Sequence, residues 1–348
     1  NALTQTALAQ AANYPFCTID PNVGVVSVPD SRLGQVAQLI GSKELVPTAM
    51  EFLDIAGLVE GASKGEGLGN QFLGHIRQVD AIVHVVRCFD DSNIIHVAGS
   101  IDPLRDIEII NTELLLSDLD SVEKKKSRTE KLAKTSKDAK IITEYGVIEK
   151  VYQALAAGKP ARSVDITEDE VQALRDLQLL TAKPVLYACN VNETDFASGG
   201  NDWTKKVLEH AKSENNRALI ICSALEAEIA QLASEEQKEF LSSIGATEPG
   251  LNRLIQASYD LLNLQTYFTA GPKECRAWTV RKGTKAPQAA GVIHTDFEKG
   301  FIRAETYHCD DLFVLKTEQS VKEAGKYRSE GKDYVVRDGD VMLFRFNV

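Results

Sequence analysis

The sequence is poor in the features of secreted, disulfide-bonded or membrane-spanning proteins. Only six of its 348 residues are cysteines, and none of them forms a CxxC pair or another metal-ligand spacing. This scarcity argues against a zinc site or a disulfide framework and favours a reducing compartment. No run of about 18 apolar residues occurs, so we expect no membrane contact. We therefore predict a cytoplasmic protein, with an organellar stroma or matrix as the alternative location.

The beginning of the chain also lacks expected features. It starts Asn1-Ala2-Leu3-Thr4, without an initiator methionine or a signal peptide, and we interpret this start as a truncation. No GxxxxGK[ST] motif, whose backbone amides and lysine hold nucleotide phosphates, occurs in the sequence. The residues that would grip phosphates in this way therefore cannot be named.

Charge is unevenly distributed along a chain of globular composition. The net charge of -11 at first disfavours a nucleic-acid partner. From Lys273 to Val348, however, 14 Lys and Arg residues accompany 12 Asp and Glu residues. Because electrostatic attraction acts locally, this last part of the chain remains compatible with an RNA partner.

Two stretches, 1–112 and 183–264, alternate short apolar runs with helical patterns. Such alternation predicts a parallel sheet covered by helices on both faces. We assign both stretches to one α/β nucleotide-binding domain. Its strands are predicted at Val23–Val28, up to Asp54, and at Ala81–Val86, Pro184–Asn190 and Ala218–Ser223.

Residues 113–182 read as a helical hairpin inserted into this domain. Leu114–Ser136 contains no Pro or Gly, and apolar residues recur at helical spacing from Ile141 to Leu155. The first arm is basic, which indicates either a solvated helix face or an arm that contacts RNA phosphates. The basic residues are Lys124, Lys125, Lys126, Arg128, Lys131, Lys134, Lys137 and Lys140.

Residues 265–348 form a strand-rich C-terminal domain in our prediction, with strands at Ala277–Val280, Tyr334–Val336 and Val341–Phe346. Cations and aromatic rings such as Trp278 and Phe297 alternate here. This pattern suits RNA, although in a β domain the rings are more often core and the cations surface.

A DxxG motif follows the second predicted strand. Asp54 stands where a phosphoryl-transfer site keeps the partner of its Mg²⁺, and Gly57 would let a backbone N–H approach the terminal phosphate. Upstream, the hydroxyl of Thr18 could ligate Mg²⁺ only while that phosphate is present. Taken alone, DxxG is equally compatible with an ordinary turn after a strand.

Two further motifs follow at the ends of later strands. Asn190-Val191-Asn192-Glu193 and Ser223-Ala224 occupy the places where GTPases carry a base-reading Asn-Lys-x-Asp and a Ser-Ala pair. The occurrence of all four features in this order makes coincidence an unlikely explanation. We therefore predict that Asn190, Val191, Glu193, Ser223 and Ala224 surround a nucleotide base.

These motifs resemble those of the YchF / Obg-like ATPase family over nearly the whole chain. The resemblance implies a P-loop NTPase parallel sheet, an inserted helical hairpin and a C-terminal β-grasp (TGS) domain. It also implies ATP as ligand, Mg²⁺ as cofactor, ribosome or ribosomal RNA as partner, a monomer, and a phosphate-binding loop missing before residue 1. The matching segments are Pro15–Asn22, Asp54–Val59, Gly61–Asn70 and His294–Phe301.

The base-reading motif departs from that of GTPases at Glu193. Guanine offers two adjacent donors to a short Asp carboxylate, and Glu is one methylene longer. The change favours adenine, with Asn190 structural or near the base and the main chain of Val191 beside it. The alternatives are a GTPase or a non-selective NTPase.

The residues alone do not identify the catalytic group, because Leu58 occupies the place of a water-orienting Gln. Hydrolysis should therefore be slow without a partner. Of the nearby histidines we expect His84 to be a core residue and His75 to be either structural or catalytic. His96 is also either structural or catalytic from the residues alone, and the resemblance implies the catalytic role.

The glycines Gly65, Gly67 and Gly69 are interpreted as a flexible switch segment, since they follow Asp54 and not a first strand. The sequence thus predicts an ATP-hydrolysing switch that associates with ribosomes. The alternative of a different class is an RNA- or ribosome-binding module gated by nucleotide, with incidental turnover.

Overall fold

The computed structural model describes residues 23–55, 68–91 and 100–347. Its strands are β1 (Val23–Ser27), β2 (Glu44–Val46), β3 (Ala49–Leu53), β4 (Ile82–Arg87), β5 (Val185–Asn190), β6 (Arg217–Ile221), β7 (Leu264–Ala270), β8 (Glu274–Arg281), β9 (Phe301–His308), β10 (Arg328–Glu330) and β11 (Asp340–Phe346). Its helices are α1 (Ser31–Ile40), α2 (Leu68–Gln78), α3 (Pro103–Thr135), α4 (Ala139–Ala156), α5 (Val171–Asp176), α6 (Glu193–Ala197), α7 (Asp202–Ser213), α8 (Ser223–Ile229), α9 (Ser234–Ser243), α10 (Gly250–Leu261), α11 (Ala286–Ile293), α12 (Thr295–Lys299), α13 (Cys309–Leu315) and α14 (Glu318–Glu323).

The chain divides into two compact units. The central unit runs from Leu53 to Gly250, and the terminal unit combines the chain up to Phe52 with the chain from Leu251 onward. The predicted segment 1–112 is therefore shared between the units. The reason is a long-range strand pairing: β2 aligns in parallel with β8, which lies some 230 positions later in the sequence.

The central unit contains three of the five predicted strands as a parallel sheet, in the order β4-β5-β6, while β1 and β3 pair in a separate two-stranded sheet. Register partners such as Val86 and Cys189 lie side by side. Both are buried in a cluster that also contains Ile107 of α3 and Val207 of α7, so these two helices pack on this face of the sheet. The near-continuous apolar character of β5 follows from its central position between two parallel neighbours.

The inserted hairpin is present, but its first helix starts earlier than predicted. Helix α3 begins at Pro103, where the side chain of Asp102 caps it by accepting from the backbone N–H of Arg105. At the base of the hairpin, the buried carboxylate of Asp118 accepts from the backbone N–H groups of Leu180, at 3.0 Å, and Thr181, at 2.7 Å. This carboxylate therefore links the segment that contains Leu180 and Thr181 to α3.

In the described ranges, no helix is both long and apolar enough to cross a membrane.

The terminal unit is built on a six-stranded mixed sheet in the order β10-β9-β11-β7-β8-β2. Helix α11 packs on one face of the sheet, where Ala289 joins Tyr267 and Phe344 in a buried cluster. Helices α1, α13 and α14 pack in a second cluster with Phe268. The strand predicted at 334–336 is wrong, because only an isolated bridge joins Val335 to Lys285.

Candidate nucleotide-binding site

Asp54 follows directly on the end of β3 and is exposed. The next residue, Ile55, is held in an apolar cluster of the central unit with Leu73, Ile76 and Leu114. This partly buried neighbour helps to fix the backbone beside the carboxylate, while Asp54 itself is exposed to solvent. An exposed carboxylate on a fixed backbone is a suitable oxygen ligand for a hydrated Mg²⁺.

Asn190 joins the ends of two strands. Its side-chain Oδ1 accepts from the backbone N–H of Ser223, with a distance of 2.9 Å between the atoms. On the other side, the backbone N–H of Cys88 donates to the carbonyl of Asn190, at 2.8 Å. The residue at the end of β5 is thus bonded to the segments that follow β4 and β6. The structure brings Asn190 and Ser223 together, and their role beside a nucleotide base stays a prediction.

The backbone N–H of the residue after Asn190 also forms a hydrogen bond within the protein. The backbone N–H of Val191 donates to the carbonyl of Ile221 at 2.9 Å, and the Val191 side chain is buried. This N–H is therefore not the group that would meet an adenine, and only the carbonyl of Val191 remains for that role. Glu193, Ser223 and Ala224 are exposed, with Glu193 at the start of α6 and the other two at the start of α8.

Two asparagines that sequence reasoning did not assign hold the segment after β5. The Oδ1 of Asn192 accepts from the backbone N–H of Asp195, at 2.7 Å, and caps α6. The Nδ2 of Asn201 donates to the carbonyl of Cys88, at 2.7 Å, and to the carboxylate of Asp195, at 2.8 Å. The sequence signal for Asn201 is its place three residues before Thr204, as a capping box at the start of α7.

The histidines differ in environment. Burial lowers the pKa of His84 on β4 to about 4, and its ring centroid lies 5.7 Å from that of Tyr187. A neutral, packed ring fits the expected core histidine. His75 is half-buried on α2.

Several predicted site residues lie outside the described residues: Thr18, Gly57, Leu58, Gly65, Gly67 and His96. Their roles stay predictions. Gly69 lies in the first turn of α2, so the predicted switch segment extends into a helix and does not end before it.

Four of the eight basic residues in the first arm of the hairpin form ion pairs with acidic residues of the hairpin itself. Lys124 pairs with Asp120, Lys125 with Glu144, Lys126 with Glu149 and Lys134 with Glu130, at distances between 2.6 and 2.9 Å. Such pairs support the interpretation as a solvated helix face, because cations already paired are poorer phosphate ligands.

The aromatic residues of the terminal unit are packed with protein groups. The Nε1 of Trp278 donates to Thr269 at 2.8 Å, and the ring of Phe297 stacks on that of Phe346 with centroids 3.8 Å apart. These contacts favour a structural role over base stacking for both side chains.

Three features indicate a nucleotide-binding protein with the P-loop GTPase fold. They are the parallel sheet packed with helices, the acidic residue directly after β3, and the hydrogen bond that joins the segments after β5 and β6. The family described as "50S ribosome-binding GTPase" matches residues 1–142, and the YchF GTPase C-terminal family, described as "Protein of unknown function (DUF933)", matches residues 264–347.

Comparison with individual proteins makes the assignment narrower. "Ribosome-binding ATPase YchF" of Bacillus subtilis (strain 168) is 56% identical over 100% of this chain and 95% of its own length. "Obg-like ATPase 1" of Rattus norvegicus is 45% identical over 100% of this chain and 88% of its own. The solved Schizosaccharomyces pombe YchF GTPase is 43% identical, with a TM-score of 0.88 over 99% of this chain and 93% of that one. The chain belongs to the YchF / Obg-like ATPase family.

Proposed function

We propose that this protein is an ATP-hydrolysing switch that associates with ribosomes in the cytoplasm and acts as a monomer. The relatives named as ribosome-binding and Obg-like ATPases support this proposal. The observation that carries it is the hydrogen bond between Asn190 and the backbone N–H of Ser223. It brings together the two segments that would enclose a nucleotide base.

The residues beside the hydrogen bond between Asn190 and Ser223 favour ATP over GTP. With its Oδ1 bonded to Ser223, Asn190 acts as a positioning residue. Glu193 is the first residue of α6, and its side chain is one methylene longer than that of the Asp that reads guanine in GTPases. Adenine offers an amino group to a carbonyl acceptor, and the carbonyl of Val191 is the group we assign to it.

Asp54 is the residue we assign to Mg²⁺, with Thr18 as the second protein ligand. Bound Mg²⁺ would supply positive charge to the phosphate oxygens as the terminal phosphate is released. Asp54 would hold the hydrated ion in place through its exposed carboxylate. His96 is the residue we assign to orienting the attacking water, since Leu58 has no group that bonds water.

A GTPase is the second candidate function, because the solved relative from Schizosaccharomyces pombe is described as a GTPase. Equilibrium binding of labelled ATP and GTP to the full-length protein with Mg²⁺ separates the two candidates. We expect ATP to bind at least about tenfold more tightly, a difference of about 1.4 kcal/mol. Equal binding or a preference for GTP would contradict the assignment of the base site.

A matched variant makes this test sharper. Glu193→Asp introduces the shorter side chain of GTPases and should reduce the ratio of ATP to GTP affinity. Glu209→Asp, an exposed change on α7, should leave this ratio unchanged.

Single-turnover ATP hydrolysis with and without ribosomes then tests the partner. If no ribosomal fraction accelerates hydrolysis, the nucleotide-gated binding module becomes the better description.

A further inference from the structure

Helix α6, which follows the predicted base-reading segment, is too short to fix its own position. It has five residues, from Glu193 to Ala197, and none of them is buried. A helix of this length is marginal in water, because its few internal hydrogen bonds do not offset the cost of starting a helix. Within α6, Phe196 alone packs against the apolar cluster on the neighbouring face of the sheet. Hydrogen bonds to the flanking segments are therefore needed to set where Glu193 lies.

Asp195, in the first turn of α6, is the residue at which these hydrogen bonds meet. Its backbone N–H donates to the Oδ1 of Asn192 at 2.7 Å, and its carbonyl accepts from the backbone N–H of Gly200, also at 2.7 Å. Its carboxylate accepts from the Nδ2 of Asn201 at 2.8 Å. Together the three bonds close residues 192–201 into a compact loop that contains α6.

Gly200 shows how closely this loop approaches its neighbours. Its φ is +116°, a backbone conformation that favours glycine. A Cβ at this position would overlap the Oγ1 of Thr204 and lie 2.8 Å from the Cδ1 of Ile220. The loop is thus packed directly against α7 and β6, with little room to shift at this point.

The side-chain amide of Asn201 attaches the loop to the segment that follows β4. Its Nδ2 donates to the carbonyl of Cys88 at 2.7 Å as well as to Asp195. The backbone N–H of Cys88 in turn donates to the carbonyl of Asn190 at 2.8 Å. The Oδ1 of Asn201 is used separately, because it accepts from the backbone N–H of Thr204 and caps α7. The Nδ2 group can therefore be removed without removing the cap.

We propose that Asn201 is a positioning residue of the base site, which sets the preference for ATP by holding Asp195 and Cys88 together through its Nδ2 group. The carbonyl of Val191 and the side chain of Glu193, which we assign to the base, come just before Asp195 in the chain. Adenine and guanine carry different donors and acceptors on their edges, so a shift of this segment would change the two affinities unequally. The inference rests on the proposed function, because it concerns selectivity at the same site.

Asn201→Ser tests this role, since Ser is also a good N-cap residue but has no Nδ2 donor. Equilibrium binding of labelled ATP and GTP to the full-length protein with Mg²⁺ gives the ratio of the two affinities. We expect this ratio to fall about fivefold, the change that one hydrogen bond typically makes. Asp195→Ala, which removes the carboxylate acceptor, should lower the ratio by a similar factor. Asp195→Asn keeps an oxygen acceptor and should restore the ratio to within about twofold of the parent.

Asn216→Ser is the matched control. The Nδ2 of Asn216 also donates to a carboxylate, that of Glu214, at 2.8 Å, and both Asn216 and Asn201 are half-buried. Asn216 follows the C-terminal end of α7, however, whereas Asn201 precedes its first residue. The control should keep the ratio of ATP to GTP affinity within about twofold of the parent.

The outcomes separate the inference from the function on which it rests. If the parent prefers ATP and either folded variant, Asn201→Ser or Asp195→Ala, keeps the same ratio, the positioning role is overturned and the proposed function stands. An equal loss of affinity for both nucleotides would show a structural role only and would overturn the inference in the same way. If Asn201→Ser does not fold, Asp195→Ala decides. Failure of the parent to bind nucleotide, or to prefer ATP, would contradict the proposed function and the inference with it.

Discussion

Asn190 and Ser223, 33 positions apart in the sequence, are joined by a single hydrogen bond between a side-chain oxygen and a backbone N–H. Asn190→Ala should leave that N–H without its acceptor and cost about 1 kcal/mol of unfolding free energy. ATP affinity should fall about fivefold, because the two base-enclosing segments lose their link.

Asn190→Asp is the conservative control for this change. A carboxylate oxygen can still accept from the N–H of Ser223, so the unfolding free energy should return to near the unaltered value. Denaturant titration and equilibrium ATP binding of the three proteins provide the measurement. Equal stability of the Ala variant and the parent would show that the bond contributes nothing.

His84 should make stability depend on pH. Burial holds its folded pKa near 4, below the ordinary value of 6.5. The unfolded chain therefore binds the proton first, and the contribution of His84 is present above pH 6.5 and is lost as the pH falls towards 4. We expect a loss on the order of 2 kcal/mol between pH 7.5 and 5.

The matched variant for this prediction is His84→Gln, which cannot titrate. Its unfolding free energy should fall less than that of the parent over the same pH range, as followed by chemical denaturation at several pH values. Parallel curves for the two proteins would mean that His84 is accessible to protons in the folded state.

The paired lysines of α3 should matter little for ribosome association. Lys125→Gln with Lys126→Gln removes two cations that Glu144 and Glu149 already neutralise. Ribosome affinity should change by less than about twofold, and stability should change little, because ion pairs between exposed side chains contribute little. Sedimentation with ribosomes over a range of salt concentrations checks this, and a reduced salt slope would instead support the RNA-contacting arm.

His96 is the residue whose replacement should separate hydrolysis from binding. His96→Ala should lower single-turnover ATP hydrolysis by about a hundredfold and leave ATP affinity within about twofold, as expected for a group that acts only on the attacking water. His75→Ala on α2 is the comparison variant. Unchanged hydrolysis in His96→Ala would remove this residue from the mechanism.

Much of the central unit could be predicted from sequence because its signals are local. The apolar run before Asn190 and the Pro-free stretch after Leu114 specify a buried strand and a long helix by composition alone. The joining of β2 to β8 could not be predicted in this way. Glu44–Val46 is only three residues long, and its pairing depends on a partner far away in sequence.

The candidate site shows the same division. The residue types at Asp54, Asn190 and Ser223 were sufficient to place them at strand ends, and the structure joins the last two. The hydrogen bond from the Val191 N–H to the carbonyl of Ile221 could not be predicted from sequence. It forms because the chain stays alongside β6 for one residue beyond the end of β5.

The attachment of α1 and β2 to the terminal sheet also has a consequence for biosynthesis. These elements leave the ribosome early, but β7 and β8, against which they pack, follow roughly 200 residues later, a delay of about 10–40 s at ordinary rates of synthesis. During that time Leu33 and Val36 of α1 lack the core that buries them. The nascent chain should therefore depend on protection of this amphipathic helix, and stalling of translation between β6 and β7 should expose it to proteases and chaperones.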